Sequence, residues 1–294
     1  KGLGPCQLAV DQHLEFPVGL ADAHLELGEG PLALCLHGFP DSPQSWRHLL
    51  PALAEAGYRA VAPWMRGYAP TSVPDEGHYQ IGALATDANA LHDALGGDGD
   101  AVLIGHDWGA IATYPAVNHE PDRWRAMVAA AVPRPATAAG ILFDYEQIKR
   151  SFYMFFFQHP LADAVVQMDD LAFLDGLWRD WSPGLDPAEA ATAAGHVKDA
   201  LRDPANLAAA LGYYRAMLGG VGVDARYDDI QAAGSAPVTI PALYVHGRDD
   251  GCLGVGFAEP SAEHLVHERS RVVVLDGAGH FLQLDQPAAF NRLV

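Results

Sequence analysis

Six short apolar runs alternate with stretches of helical periodicity along this 294-residue chain. They are "PLALCL" (31–36), "YRAVA" (58–62), "AVLIG" (101–105), "AMVAAAV" (126–132), "ALYVH" (242–246) and "RVVVL" (271–275). Each is too short for a typical helix and is bounded by Gly, Pro or charge, so each predicts a buried strand. Strands buried on both faces pair in parallel, and parallel neighbours need a crossover, usually a helix. "IGALATDANALHDAL" offers such a crossover, with Ile81, Leu84, Ala85, Ala88, Leu91 and Leu95 on one helical face. The pattern predicts an α/β fold, a mostly parallel sheet with helices on both faces. "CQLAV" (6–10) and "AHLEL" (23–27) read as edge strands.

The alternation stops at Pro133 and resumes after Thr239. Between them lie helical patterns and aromatics but no strand pattern, and Pro133, Pro135 and "AAGSAPVTIP" read as hinges. The expected organisation is a core over 1–132, an inserted helical cap over 133–239, and the core again over 240–294.

The formal net charge of −19 argues against nucleic acid or an anionic membrane as partner, because both require clustered Lys and Arg. No run approaches the ~18 apolar residues of a membrane span. Three widely separated cysteines, Cys6, Cys35 and Cys252, suggest neither a disulfide framework nor a metal knot. "KGLGPCQLAV" carries no apolar signal segment, so a reduced, cytoplasmic setting is expected. The chain starts on Lys and stops in the helical pattern "FNRLV", which points to natural residues beyond both ends.

Within "LIGHDWGA", Gly105-His106-Asp107-Trp108-Gly109 has the spacing of a nucleophile elbow with Asp in place of Ser. It follows a predicted strand and precedes the apolar helix pattern "GAIATYPAV", the context that gives the motif meaning. Hydrolases of this type order their residues nucleophile, acid, histidine. "YVHGRDDG" places Asp249 and Asp250 just after one strand, and "LDGAGHFLQLDQP" places His280 just after another. The spacing from Gly247 favours Asp250 as the acid, with Asp249 in reserve. Active-site residues gather beyond the carboxyl ends of parallel strands. "HGFPDSPQSW" sits where an oxyanion-hole loop belongs, so the backbone N–H groups of Phe39 and Trp108 are the expected donors. His37 reads as a structural hydrogen-bonder, and Cys252 as a small packed residue.

On these stretches the chain resembles the epoxide hydrolases of the α/β-hydrolase fold, with haloalkane dehalogenases as nearest relatives. The matching segments are "HGFP" (37–40), "RGY" (66–68), "GHDWGA" (105–110), "GRDDG" (247–251) and "GHFLQLDQP" (279–287), in the family's order. Trp64 and Ala69 depart from the family's usual Asp and Gly beside R-G-Y. The resemblance implies two cap tyrosines facing the nucleophile: "SFYMFFFQHP" matches at Tyr153 and "GYYRAM" at Tyr214, with Tyr213 and Tyr145 as substitutes.

A carboxylate at the elbow has its own rationale. It is anionic at neutral pH and attacks an sp³ carbon without first losing a proton. The ester that results is hydrolysed by water activated at His280. The resemblance thus implies a small apolar or aromatic epoxide and water as reactants, a vicinal diol as product, and neither metal nor organic cofactor. A homodimer is an arrangement the sequence leaves open. Two other readings stand beside this one. A haloalkane dehalogenase would use the same Asp-His-Asp set, with Trp108, Trp178 or Trp181 donating to halide, although Phe39 stands where many dehalogenases carry Asn. A non-catalytic hydrolase-fold receptor would keep the pocket without turnover.

Overall fold

The computed structural model describes residues 9–15 and 21–294. Eight strands form one sheet: β1 (Ala9–Glu15), β2 (Ala21–Leu27), β3 (Leu32–Leu36), β4 (Arg59–Pro63), β5 (Val102–His106), β6 (Ala126–Ala130), β7 (Ala242–Gly247) and β8 (Arg271–Leu275). Their order is β1-β2-β4-β3-β5-β6-β7-β8. All neighbours from β4 to β8 run parallel, and β1–β2 and β2–β4 pair antiparallel. The chain is therefore an α/β protein with a mostly parallel sheet, as the alternation predicts. The side chains of β3 and β7 are buried throughout, which is why these strands read as unbroken apolar runs.

Two strand assignments change. "AHLEL" belongs to β2, which is flanked by β1 and β4 and is not an edge. Its alternating pattern suits any half-covered antiparallel strand, so it carries no information about a second neighbour. "RVVVL" is not buried: β8 is itself an edge, with Arg271 exposed and the rest half-buried. Of "CQLAV", only Ala9 and Val10 fall in β1; Cys6, Gln7 and Leu8 lie outside the described residues.

Helices α1 (Leu49–Glu55), α2 (Ile81–Ala94) and α3 (Trp108–His119) connect the first parallel strands. Leu84, Ala85, Ala88, Leu91 and Leu95 are buried on the predicted face of α2, and Ile81 packs at its margin. Between β6 and β7 come α4 (Pro135–Ala139), α5 (Tyr145–Arg150), α6 (Phe152–Phe156), α7 (Ala162–Trp181), α8 (Pro187–Leu201), α9 (Pro204–Gly219) and α10 (Asp228–Ala233). A kink, extended at Met168 and left-handed at residues 169–171, divides α7 into two pieces. The last helix, α10, packs against α2 and α3 of the core. Short helices α11 (Ala258–Ser261), α12 (Leu282–Asp285) and α13 (Pro287–Leu293) complete the chain. No helix among the described residues is long and apolar enough to cross a membrane.

The strand order sets the location of the site. The chain runs from β3 outward to β4, then returns across β3 to β5. The loops leaving β3 and β5 diverge there and open a crevice at the carboxyl edge of the sheet. The segments holding Phe39 and Asp107 are those two loops.

Candidate active site

Asp107 sits in the turn between β5 and α3 with φ 52° and ψ −116°, a conformation side chains rarely adopt. The turn is held by close backbone approaches that only glycine permits. A Cβ on Gly105 would lie 2.3 Å from the Gly109 carbonyl oxygen, and one on Gly109 would lie 2.2 Å from that of Leu36. The strain lifts the carboxylate above the sheet edge, where its two oxygens meet different surroundings. Oδ1 accepts the Phe39 N–H at 2.6 Å. Oδ2 stands 3.5 Å from His280 Nε2. Trp108 opens α3, so its N–H has no acceptor within the helix and shares the positive end of the helix dipole with the Asp107 side chain.

His280 follows β8 and is fully buried. Its Nδ1 pairs with Asp250 Oδ2 at 2.9 Å, which leaves Nε2 to face Asp107. Asp250, beyond β7, is buried, and its Oδ1 accepts N–H groups from Cys252 at 2.7 Å and Leu253 at 2.9 Å. Asp249 points outward and is exposed, so of the two strand-end aspartates only Asp250 meets the histidine.

The electrostatics follow from this sandwich. Burial pulls the His280 imidazole down, but Asp250 and Asp107 on its two sides outweigh burial and push it up to about 10. Burial opposes charge on Asp250 as well, yet the His280 charge and the hydrogen bonds it accepts hold its carboxyl below the usual range. The buried imidazole thus lies between two acidic side chains, Asp250 at Nδ1 and Asp107 at Nε2.

Tyr153 on α6 and Tyr214 on α9 are both buried, their rings edge-to-face with centroids 5.5 Å apart. Tyr214 also packs on Trp108 at 5.0 Å and Phe39 at 5.3 Å. Tyr153 packs on Trp181 at 4.9 Å, and Trp181 on His280 at 5.0 Å. Burial, with the Asp107 charge among the further causes, raises both phenols well above their ordinary value and keeps them protonated. The substitutes lie elsewhere: Tyr213 donates to the Arg66 carbonyl oxygen at 2.8 Å, and Tyr145 is exposed on α5. All seven expected positions, Phe39, Asp107, Trp108, Tyr153, Tyr214, Asp250 and His280, thus meet at one point above β3, β5, β7 and β8.

Other side chains complete the surroundings, of which the His106–Asp41 pair was not anticipated from the sequence. The Cys252 Sγ lies 3.3 Å from the Tyr153 hydroxyl, whereas the Tyr214 side chain faces Trp108. His106, the second residue of the elbow, contacts the His280 carbonyl oxygen through Nε2 at 2.9 Å and has Asp41 3.4 Å from Nδ1. The only sequence signal for that pair was its place inside "GHDWG" and "HGFPD". His37 accepts the Met65 N–H at 3.0 Å, and its other ring nitrogen meets the Gly38 carbonyl oxygen, a bridging place with no contact to the nucleophile. Trp178 donates its indole N–H to the Pro40 carbonyl oxygen at 2.8 Å.

Asp250, Cys252 and His280 are close enough together to be considered as metal ligands. Their chemistry fits poorly, because burial holds the Cys252 thiol well above its ordinary value and a thiolate is the ligating form. The arrangement suits covalent attack by a carboxylate followed by base-assisted hydrolysis.

Comparison with known proteins identifies the fold and the family. The α/β hydrolase fold family matches residues 31–287. Epoxide hydrolase A of Mycobacterium tuberculosis (strain ATCC 25618 / H37Rv) is 32% identical over 292 residues, covering 90% of this chain and 89% of that protein. The crystal structure of epoxide hydrolase A from Mycobacterium thermoresistibile superposes with a TM-score of 0.76 at 30% identity, over 97% of this chain and 96% of that one. An epoxide hydrolase from an endophytic Streptomyces gives a TM-score of 0.77 at 28% identity, over 98% and 94%.

Proposed function

We propose that this chain, which belongs to the epoxide hydrolases of the α/β-hydrolase fold, converts epoxides to vicinal diols through an ester on Asp107. The observation that carries the reading is the division of labour on that carboxylate: Phe39 N–H on one oxygen and His280 beside the other. Asp107 Oδ2 attacks an epoxide carbon, the carbon–oxygen bond of the ring breaks, and the departing oxygen takes a proton from Tyr153 or Tyr214. Because both phenols are held neutral, they serve as acids for an alkoxide that would otherwise leave poorly.

Esterification removes the Asp107 charge, one of the two that hold the His280 proton. His280 then returns a proton to the tyrosinate and becomes a neutral base. It deprotonates a water, which attacks the ester carbonyl carbon, and the oxyanion forms at Oδ1 against the Phe39 and Trp108 N–H groups. Loss of one such donor typically costs on the order of 10²–10³ in rate. Collapse of this intermediate releases the diol, which takes the proton on His280, and the new carboxyl group of Asp107 passes its own proton to His280, restoring the carboxylate and the imidazolium. Asp250 keeps the imidazole oriented throughout.

On this reading residues 133–239 form the cap that carries both tyrosines, with α10 as its return to the core. The aromatic surround of Phe39, Trp108, Phe157 and Trp181 favours aryl and alkyl epoxides. The dehalogenase alternative is disfavoured because the Trp178 N–H is committed to Pro40 and Phe39 offers halide no side-chain donor. Styrene oxide and a bromoalkane offered side by side test the assignment: diol release without bromide is expected, and bromide release without diol would overturn it.

A further inference from the structure

The Asp250 loop is gripped from above by helix α5, outside the residues assigned to catalysis. The Gln147 side chain, nine-tenths buried, spans two of the loop's peptides. Its Nε2 donates to the Cys252 carbonyl oxygen at 2.8 Å, and its Oε1 accepts the Gly254 N–H at 3.1 Å. Arg150, one helical turn on, donates to the Asp250 carbonyl oxygen at 2.7 Å. The C-terminal end of α7 closes the other side, where the Trp181 carbonyl oxygen accepts N–H groups from Gly251 at 3.0 Å and His280 at 2.9 Å.

The grip reaches the histidine through one peptide unit. The Cys252 carbonyl that accepts from Gln147 belongs to the same amide as the Leu253 N–H, and that N–H donates to Asp250 Oδ1. Donation into a carbonyl polarises the amide and makes its N–H a stronger donor. Asp250 Oδ2 in turn holds His280 Nδ1. A chain of hydrogen bonds therefore runs Gln147, Cys252–Leu253 amide, Asp250, His280.

We propose that Gln147 is a positioning residue for ester hydrolysis, fixing the Asp250 loop so that His280 Nε2 faces the ester of Asp107. The inference rests on the covalent route proposed above. Opening of the epoxide depends on Asp107 and the tyrosines; Gln147 touches neither and reaches Tyr153 only indirectly, through Ser151 and Cys252, so opening is the less sensitive step. Hydrolysis depends on a correctly oriented His280, so it is sensitive.

Rapid-quench mixing with styrene oxide, followed by intact-protein mass, separates the two steps. In Gln147→Leu the ester should form at close to the wild-type rate and decay roughly tenfold more slowly, so that it accumulates. Gln147→Glu provides a readout that a merely structural role would not move. When its carboxyl is protonated, it donates to Cys252 and accepts from Gly254 as Gln147 does; when it is ionised, it sets an acceptor against the Cys252 carbonyl. Ester decay in this variant should be near wild type at low pH and fall through one additional ionisation that Gln147→Leu lacks. Wild-type ester decay in both variants, or equal slowing of formation and decay, would overturn the proposal. No ester in His280→Gln after the same mixing would instead overturn the covalent route itself.

Discussion

Replacing Asp107 by Asn keeps the shape of the side chain and deletes its charge, which imitates the electrostatic consequence of ester formation. In the native site that charge lies 3.5 Å from His280 Nε2. At an effective dielectric of about 20, a unit charge at this distance is worth about 5 kcal/mol, or roughly three and a half pH units. His280, pushed up to about 10 with both carboxylates present, should therefore titrate at roughly 6.5 in Asp107→Asn. The ring C–H resonances of His280, identified among the 14 histidines by their loss in His280→Gln, report the midpoint directly. Stability supplies a second check. A histidine whose folded pKa lies above its ordinary 6.5 stabilises fully below that pH and loses the contribution as pH rises through about 10. Wild type should lose stability across that window at up to about 1.4 kcal/mol per unit, and the variant should be nearly flat over it. A midpoint that stays near 10 in Asp107→Asn would mean that Asp250 alone holds the proton. Esterification would then not release the base, and the two-step account would fail.

Three further outcomes follow from the same geometry. His280→Gln should take up one equivalent of styrene oxide and stall, with intact mass showing a single adduct and peptide mapping placing it on Asp107; an adduct on Cys252 would name a different nucleophile. Tyr153→Phe and Tyr214→Phe should each slow epoxide opening, and the double variant should lose the general-acid contribution, about 10²- to 10⁴-fold, measured as the rate of ester formation. Near-native turnover by the double variant would remove both phenols from the mechanism. A single turnover in oxygen-18 water should release diol carrying unlabelled oxygen, because that atom originates in Asp107, and full labelling of the first diol would require direct attack by water.

Much of this protein was legible in its sequence because the determining interactions are local. Strands β3 to β7 announced themselves as apolar runs, since burial on both faces leaves no room for polar alternation. The elbow was legible because its backbone needs Gly105 and Gly109 at fixed offsets from Asp107, and those offsets survive any change of tertiary setting. The order Asp107, Asp250, His280 was readable because each residue lies in the loop that follows a strand. What lies between strands was not. The edge position of β8, the second neighbour of β2 and the packing of α10 on α2 and α3 depend on which surfaces meet, and a one-dimensional pattern records only that a surface is apolar.

The choice of Asp250 over Asp249 shows the division most sharply. The two are identical in chemistry and adjacent in sequence, and spacing could favour one only by analogy. The turn after β7 sends one side chain under His280 and the other into solvent, and only that turn distinguishes them. The raised pKa of His280 is likewise absent from the sequence, where Asp107 and Asp250 stand far from it. Charge acts through space, falling with distance and with the dielectric around it, so only the folded chain brings two carboxylates against one buried imidazole.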